Sequence, residues 1–363
     1  EAAPYYLRSA QLARQIFANE EAVNILIKGI QLVNEVKHKN QDQPCELAAH
    51  FWEEMGDIQE MQAIHAEAKQ AFHKALENIS LSDAIGNARL YRKIGIALRE
   101  ERQYANALSE CNQAEASLGE QAKPGDEEWW REWTEVQVER IWSHYWLAQW
   151  PEMERLVEKT QLIVQEIGGA RLRARFLMAT CLMQLRRERY TVSEAMVSDA
   201  IEALAASGEW GDLKTMIECQ FELGFLHLWR GELDIAEENL LAALNMIEKS
   251  GFVPMRILSL TYVSVVDRFR GNVDSVMDYA IRAEQAAEAA HMPDYVAAAK
   301  GNQAWTAWRR QEMQLAKQLG QEAIKIWEES PLRYPFQWLA IFPLIGVSFA
   351  SGDEDATWTY LSM

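Results

Sequence analysis

Trp52-Glu53-Glu54-Met55-Gly56-Asp57-Ile58-Gln59, followed at a fixed distance by Ala68, Phe72 and Ala75, decides the fold of this 363-residue chain. The spacing predicts two helices packed face to face. Gly56, Ala68 and Ala75 are small enough to let two helix backbones approach closely. Trp52, Met55, Phe72 and Leu76 recur at helical intervals and fill the space around that contact.

The same columns return along the chain. Tyr91, Ile94, Gly95 and Leu98 precede Tyr104, Ala107, Cys111 and Ala114, and Gln220, Leu223, Gly224 and His227 precede Gly231, Ala236, Leu240 and Ala243. Tryptophan, then leucine and glycine, then a later alanine with an aromatic residue four positions on, resembles the tetratricopeptide signature. Extending these columns puts the small residue of successive first helices at Ala10, Gly56, Gly95, Ile141, Cys181, Gly224, Ser264, Ala304 and Ile345, in steps of roughly 40 to 46 residues. The pair centred on Ile141 has weak columns and is supported by its second helix, from Trp150-Pro151-Glu152 to Thr160. The resemblance implies an all-α, right-handed superhelical solenoid of about nine antiparallel helix pairs.

A chain of this length would ordinarily divide into two or three globular domains. Repetition overrides that prior, because each pair buries its apolar stripe against its neighbours and one core runs on by stacking. Residues 1–363 are therefore expected to form a single array. Gly119-Glu-Gln-Ala-Lys-Pro124-Gly125-Asp126 is the longest break between helical patterns, and residues 119–128 are the expected hinge. No segment has the pattern of a strand.

The net charge of -18 argues against nucleic acid as a partner, since a polyanion needs a basic stripe to displace its counterions. The locally basic Arg171, Arg173, Arg175, Arg186, Arg187 and Arg189 are expected to form a solvated helix face. Cys45, Cys111, Cys181 and Cys219 share no metal-ligand or redox spacing, and two of them fall in packing columns. Free thiols of this kind point to a reducing, cytoplasmic setting. The longest apolar run, Trp338 to Ala350, is interrupted by Pro343 and is too short to span a membrane.

The motif search excludes most chemistry. The chain has no phosphate-binding glycine-lysine loop, GxGxxG, HExxH, GxSxG or EF-hand loop. No cofactor, metal or catalytic residue is expected. His65 and His73 lie too far apart along a helix for one metal site, and His144 and His227 stand in the column where the signature prefers tyrosine, as packed, hydrogen-bonded residues.

Helix geometry supplies a sharper feature. Residues one, four and five positions after the small column share an adjacent face. These are Trp142, Tyr145 and Trp146; Leu182, Leu185 and Arg186; Phe225, Leu228 and Trp229; Val265, Arg268 and Phe269; and Trp305, Trp308 and Arg309. In earlier repeats the positions are Asp57, Glu60 and Met61, then Ile96, Arg99 and Glu100, so the face changes from acidic to aromatic near Trp142. In tetratricopeptide proteins first helices line the concave surface, and the resemblance implies that this face looks into that groove. Aromatic residues with interspersed arginine are the types that dominate binding hot spots. The competing reading is that the face packs on the next repeat. Trp129, Trp130 and Trp133 join the same neighbourhood and share that ambiguity.

The opening Glu1-Ala-Ala-Pro-Tyr-Tyr-Leu-Arg-Ser-Ala-Gln-Leu-Ala-Arg-Gln, His144-Tyr145-Trp146-Leu147 through Trp150, and Gly352-Asp353-Glu354-Asp355-Ala356 resemble the long-repeat helical region of bacterial multidomain signalling ATPases. In that family the repeats follow a nucleotide-binding switch module, itself following a cyclase or DNA-binding domain in some members. The resemblance implies a piece of a longer polypeptide, with the switch domain as an intramolecular partner. The expected role is a non-catalytic interaction and sensor module that binds a peptide, a partner protein or a small effector in its groove. A structural or oligomerisation scaffold, or an enzyme with an unfamiliar site, are the alternatives.

Overall fold

In the computed structural model, residues 2–37, 45–119, 126–329 and 336–363 are described. They form α1 (Ala3–Gln15), α2 (Asn19–Lys37), α3 (Glu46–Met61), α4 (His65–Leu76), α5 (Ala84–Glu100), α6 (Tyr104–Leu118), α7 (Glu127–Trp146), α8 (Trp150–Ile167) and α9 (Ala170–Arg187). Then follow α10 (Glu194–Trp210), α11 (Leu213–Trp229), α12 (Leu233–Ser250), α13 (Val253–Arg270), α14 (Val273–Ala289), α15 (Pro293–Arg309), α16 (Met313–Glu328), α17 (Trp338–Ala350) and α18 (Glu354–Leu361). Helix is the only regular structure among the described residues, and the fold is an all-α array of antiparallel pairs. Most of the expected hinge, residues 120–125, lies outside the described residues.

The two helices of a pair differ in how they are buried. Second helices offer one narrow stripe of small side chains, such as Ala68, Ala71 and Ala75 in α4, or Val276, Ala280, Ala283 and Ala287 in α14. First helices are enclosed on several sides: α15 packs on α13, α14, α16 and α17 together. Its residues are accordingly buried almost without interruption from Ala297 to Ala307, as expected of a helix with partners all round.

The small-residue column is where paired backbones approach. A Cβ on Gly95 would lie 3.3 Å from the Ala107 carbonyl oxygen, and one on Gly224 would lie 3.0 Å from the Leu240 nitrogen and 3.1 Å from the Ala236 oxygen. At Gly56 the space is filled by the Phe72 ring. All nine column residues are buried except Ile345, which is half-buried beside the eight-residue α18.

A second period emerges in the turns. Seven residues after the column, Phe17, Ala63, Arg102, Ala148, Gly231, Gly271, Gln311 and Gly352 all have positive φ, between 55° and 81°. This left-handed residue reverses the chain between paired helices. Only three of the eight are glycine, although the conformation costs other residues about 1–2 kcal/mol.

The described residues divide into two compact units. Unit one comprises 1–219 with 249–251, and unit two comprises 220–248 with 252–363. None of the described helices is long and apolar enough to cross a membrane.

Candidate functional site

In unit one the first helices are tied together by charge. Arg14 of α1 meets Glu54 and Asp57 of α3 at 2.8 and 3.1 Å. From α5, Arg89 and Lys93 reach Glu53, Lys93 also reaches Asp57, and Arg92 donates to Glu132 of α7 from Nε and Nη2 at 2.6 and 3.1 Å. Arg175 of α9 then spans Glu135 and Glu139 of α7 and Glu218 of α11, with Arg171 also on Glu135. Residues 36–43 apart are therefore joined, and the donors come from α1, α5 and α9 while α3, α7 and, through Glu218, α11 supply acceptors. Lys214 of α11 closes the set on Glu60 of α3 at 2.8 Å.

These charges are largely withdrawn from water, so their titration reflects a contest between burial and partners. Burial alone would raise the Glu53 carboxyl, but Lys93 and Arg89 hold it well below the carboxylate range. Burial likewise opposes ionisation of Glu135, and Arg175, Arg92 and Arg171 outweigh it to hold that group at about 2. At Glu218 burial wins, and the carboxyl is raised despite Arg175 and Lys214. The expectation of a solvated basic face is thus corrected at Arg175, whose guanidinium is consumed by this network because α9 is flanked by acidic helices.

The predicted aromatic residues of unit one are drawn into packing. Trp142 is half-buried beneath the Arg99 guanidinium, 5.3 Å from its ring centre. Tyr145 is buried, shares a 2.8 Å hydrogen bond with the Tyr190 hydroxyl, and carries Arg186 over its ring at 4.2 Å. Trp146 is half-buried and stacks on Tyr104. Trp129 and Trp133 are buried, with Trp130 edge-on between them. His144 pairs with Gln149, and in unit two His227 pairs with Glu232, each bridging the turn between paired helices at 2.7 and 2.5 Å.

Unit two gathers its predicted residues differently. Phe225 is buried against Phe221, Tyr262 and Trp229, and Tyr262 meets Phe336. Trp229 meets Trp338 edge-on with ring centres 6.3 Å apart, and Phe269 stacks on the same Trp338 at 6.3 Å and 7°. Trp338 continues to Phe342. Phe269 and Phe342 remain 50% and 57% exposed, so this aromatic group is open at one side. Trp308 is half-buried against Gly346, and Arg309 is exposed over the Trp305 ring.

Arg268 lies under this group, 6% exposed. Its guanidinium sits 5.5 Å from the Trp305 ring centre and 5.2 Å from that of Trp338. Nη1 donates to Asn302 Oδ1 at 3.1 Å and to the Leu339 carbonyl at 2.9 Å. Burial, with no carboxylate answering it among the described residues, pulls the group down to about 9. Sequence periodicity found Arg268, Phe269 and Trp305 but missed Trp338 and Asn302, which stand at other phases of their helices. Their signal was Trp338 opening an apolar run and an asparagine within an otherwise alanine-rich helix.

Burial pushes the Cys111 thiol up to about 12, away from the reactive thiolate range. A groove of about 600 Å³ between α6, α7 and α8 includes Arg140, His144, Arg155 and Lys159, but Arg140 and Arg155 are held by Glu115 and Glu152.

No protein-family model and no curated protein matches the sequence. Solved structures do. A signal transduction ATPase with numerous domains carrying a tetratricopeptide-repeat sensor, from Pyrococcus horikoshii, aligns over 94% of the chain at 14% identity with a TM-score of 0.56; the chain spans 51% of that protein. A Rap protein complexed with competence and sporulation factor aligns over 97% of the chain and 99% of its own length at 12% identity and TM-score 0.57. Aspartyl phosphate phosphatase F from Bacillus subtilis aligns over 90% and 94% at 13% identity and TM-score 0.54. Likeness at these identities establishes the tetratricopeptide-like helical-repeat fold.

Proposed function

We propose that this chain is a non-catalytic interaction and sensor module that holds an extended peptide segment against the aromatic group of unit two, and that occupancy there regulates an attached switch domain. The observation that carries this reading is the open side of the Trp338 group. Trp229, Phe269 and Phe342 surround that ring, and Phe269 and Phe342 keep half or more of their surface in water. Clustered aromatic surface beside a positioned arginine is the composition of binding hot spots. Unit one, by contrast, spends its aromatic and charged residues on its own repeats. A repeat sensor joined to an ATPase, and a Rap protein in complex with a signalling factor, share the fold and support the reading.

The mechanism needs no chemistry. A ligand that binds one curvature of a stacked array better than another shifts the population by that difference in affinity. Phe269→Ser tests the site, since an exposed side chain can be changed with little effect on folding. Peptides selected from a random displayed library on the native protein are expected to be lost on Phe269→Ser at unchanged Tm. Equal enrichment on both proteins would move the binding face elsewhere.

A further inference from the structure

The Arg268 guanidinium is enclosed by two indoles and bonded through one of its nitrogens. Trp305 and Trp338 lie over the planar group, and both Nη1 hydrogens are taken by Asn302 Oδ1 and the Leu339 carbonyl. The remaining edge, Nε with Nη2, has no acceptor among the described residues. Residues 330–335, the segment of unit two outside the described residues, contain no aspartate or glutamate. The free edge is the fork that grips a carboxylate with two parallel hydrogen bonds.

Asn302 adds an independent sign. It is fully buried, its Oδ1 is fixed by the bond from Arg268, and its Nδ2 therefore points a donor with no acceptor among the described residues. A buried unsatisfied amide is destabilising, and so is a buried cation without a counter-ion. Cation–π contact with two indoles offsets part of that. An arginine edge and an amide donor on the residue bonded to that arginine, both without an acceptor among the described residues, point to an acceptor anion.

We infer that the Nε/Nη2 edge of Arg268 binds a single carboxylate, with the apolar body of its bearer on the Phe269–Trp338–Phe342 surface. This rests on the reading of unit two as the peptide-binding face and specifies the group that is recognised. A carboxylate fits better than a phosphate. The chain carries a net charge of -18, which penalises a dianion more than a monoanion, and one fork supplies two bonds rather than three.

The probes are N-acetylphenylalanine, its neutral amide, and inorganic phosphate, titrated against the whole chain with tryptophan fluorescence as the readout. The acid is expected to quench and to bind at least about tenfold more tightly than the amide, the factor that about 1.4 kcal/mol of a charge-assisted bond provides. Phosphate is expected to be inert. Equal binding of acid and amide, no response to the acid at tens of millimolar, or tighter binding of phosphate than of the acid would each overturn the carboxylate assignment.

Asn302→Asp gives a second test that depends on no ligand. It sets a carboxylate beside Arg268 and removes the orphan donor, so Tm is expected to rise by a few degrees and acid binding to be lost. A fall in Tm would show that the site does not want an anion. Library peptides that need Phe269 but carry no acidic group would leave the binding face standing and defeat this inference alone.

Discussion

Replacing Arg175 by methionine should cripple unit one, because a single guanidinium there answers three carboxylates. It reaches Glu139 at 2.7 Å, Glu218 at 3.2 Å and Glu135 at 3.3 Å. Methionine keeps most of the apolar stem, so the change isolates the charge. Removing one partner of a buried pair costs roughly 3–5 kcal/mol. Residual support from Arg171 on Glu135, Arg99 on Glu139 and Lys214 near Glu218 keeps the loss within that range. Holding Glu135 at about 2 rather than 4.5, the joint effect of Arg175, Arg92 and Arg171 against burial, corresponds to about 3 kcal/mol at roughly 1.4 kcal/mol per pH unit, of which Arg175 is the leading charge. Because the folded value is depressed, that stability is present above the ordinary value of 4.5 and is lost as pH falls towards 2. The Arg175→Met penalty should therefore be full at pH 7 and shrink on acidification. Urea melts followed by far-UV circular dichroism would register it as a midpoint lower by about 1 M, at about 3 kcal/mol per M. A loss under about 1 kcal/mol at pH 7, or an equal loss at pH 7 and pH 3, would refute the account of the network.

Other expectations follow from single positions. Gly224→Ala should destabilise by about 1–3 kcal/mol in the same melts, since the new methyl meets backbone of α12 that cannot rotate away. An unchanged midpoint would show that the pair separates freely. Ala148→Gly should be neutral or stabilising by up to about 1 kcal/mol, because Ala148 holds φ at 55° and glycine relieves that strain at a smaller entropic cost; a loss of stability would mean the turn is unstrained. Tyr190→Phe should cost about 1 kcal/mol through its hydroxyl bond to Tyr145, and an unaltered Tm would argue against that bond in solution.

How much of this was legible beforehand depends on the range of the contacts involved. The small column was readable at Gly56, Gly95 and Gly224 because a close helix pair is a local arrangement, repeated in every unit of sequence. His144 and His227 were legible for the same reason, each bonding five residues away across one turn. The left-handed turn residue was hidden, since Phe17, Ala63, Arg102, Ala148 and Gln311 adopt a conformation that side-chain chemistry does not advertise. The aromatic face was half legible. Its residues were found by phase, yet the same phase places Trp146 against Tyr104 and leaves Phe269 half in solvent.

The sequence by itself determined that the chain is an array of helix pairs, because helical spacing and small residues act over one or two neighbouring elements. Tertiary structure alone decided what each charged group faces. Arg175 and Arg268 both look like basic residues on first helices. Arg175 is met by glutamates 36 to 43 residues away, whereas Arg268 is met by two indoles, an amide 34 residues away and a carbonyl 71 residues away. A buried charge takes its meaning from the groups that replace its water, and those groups are brought together only by the stacking of repeats.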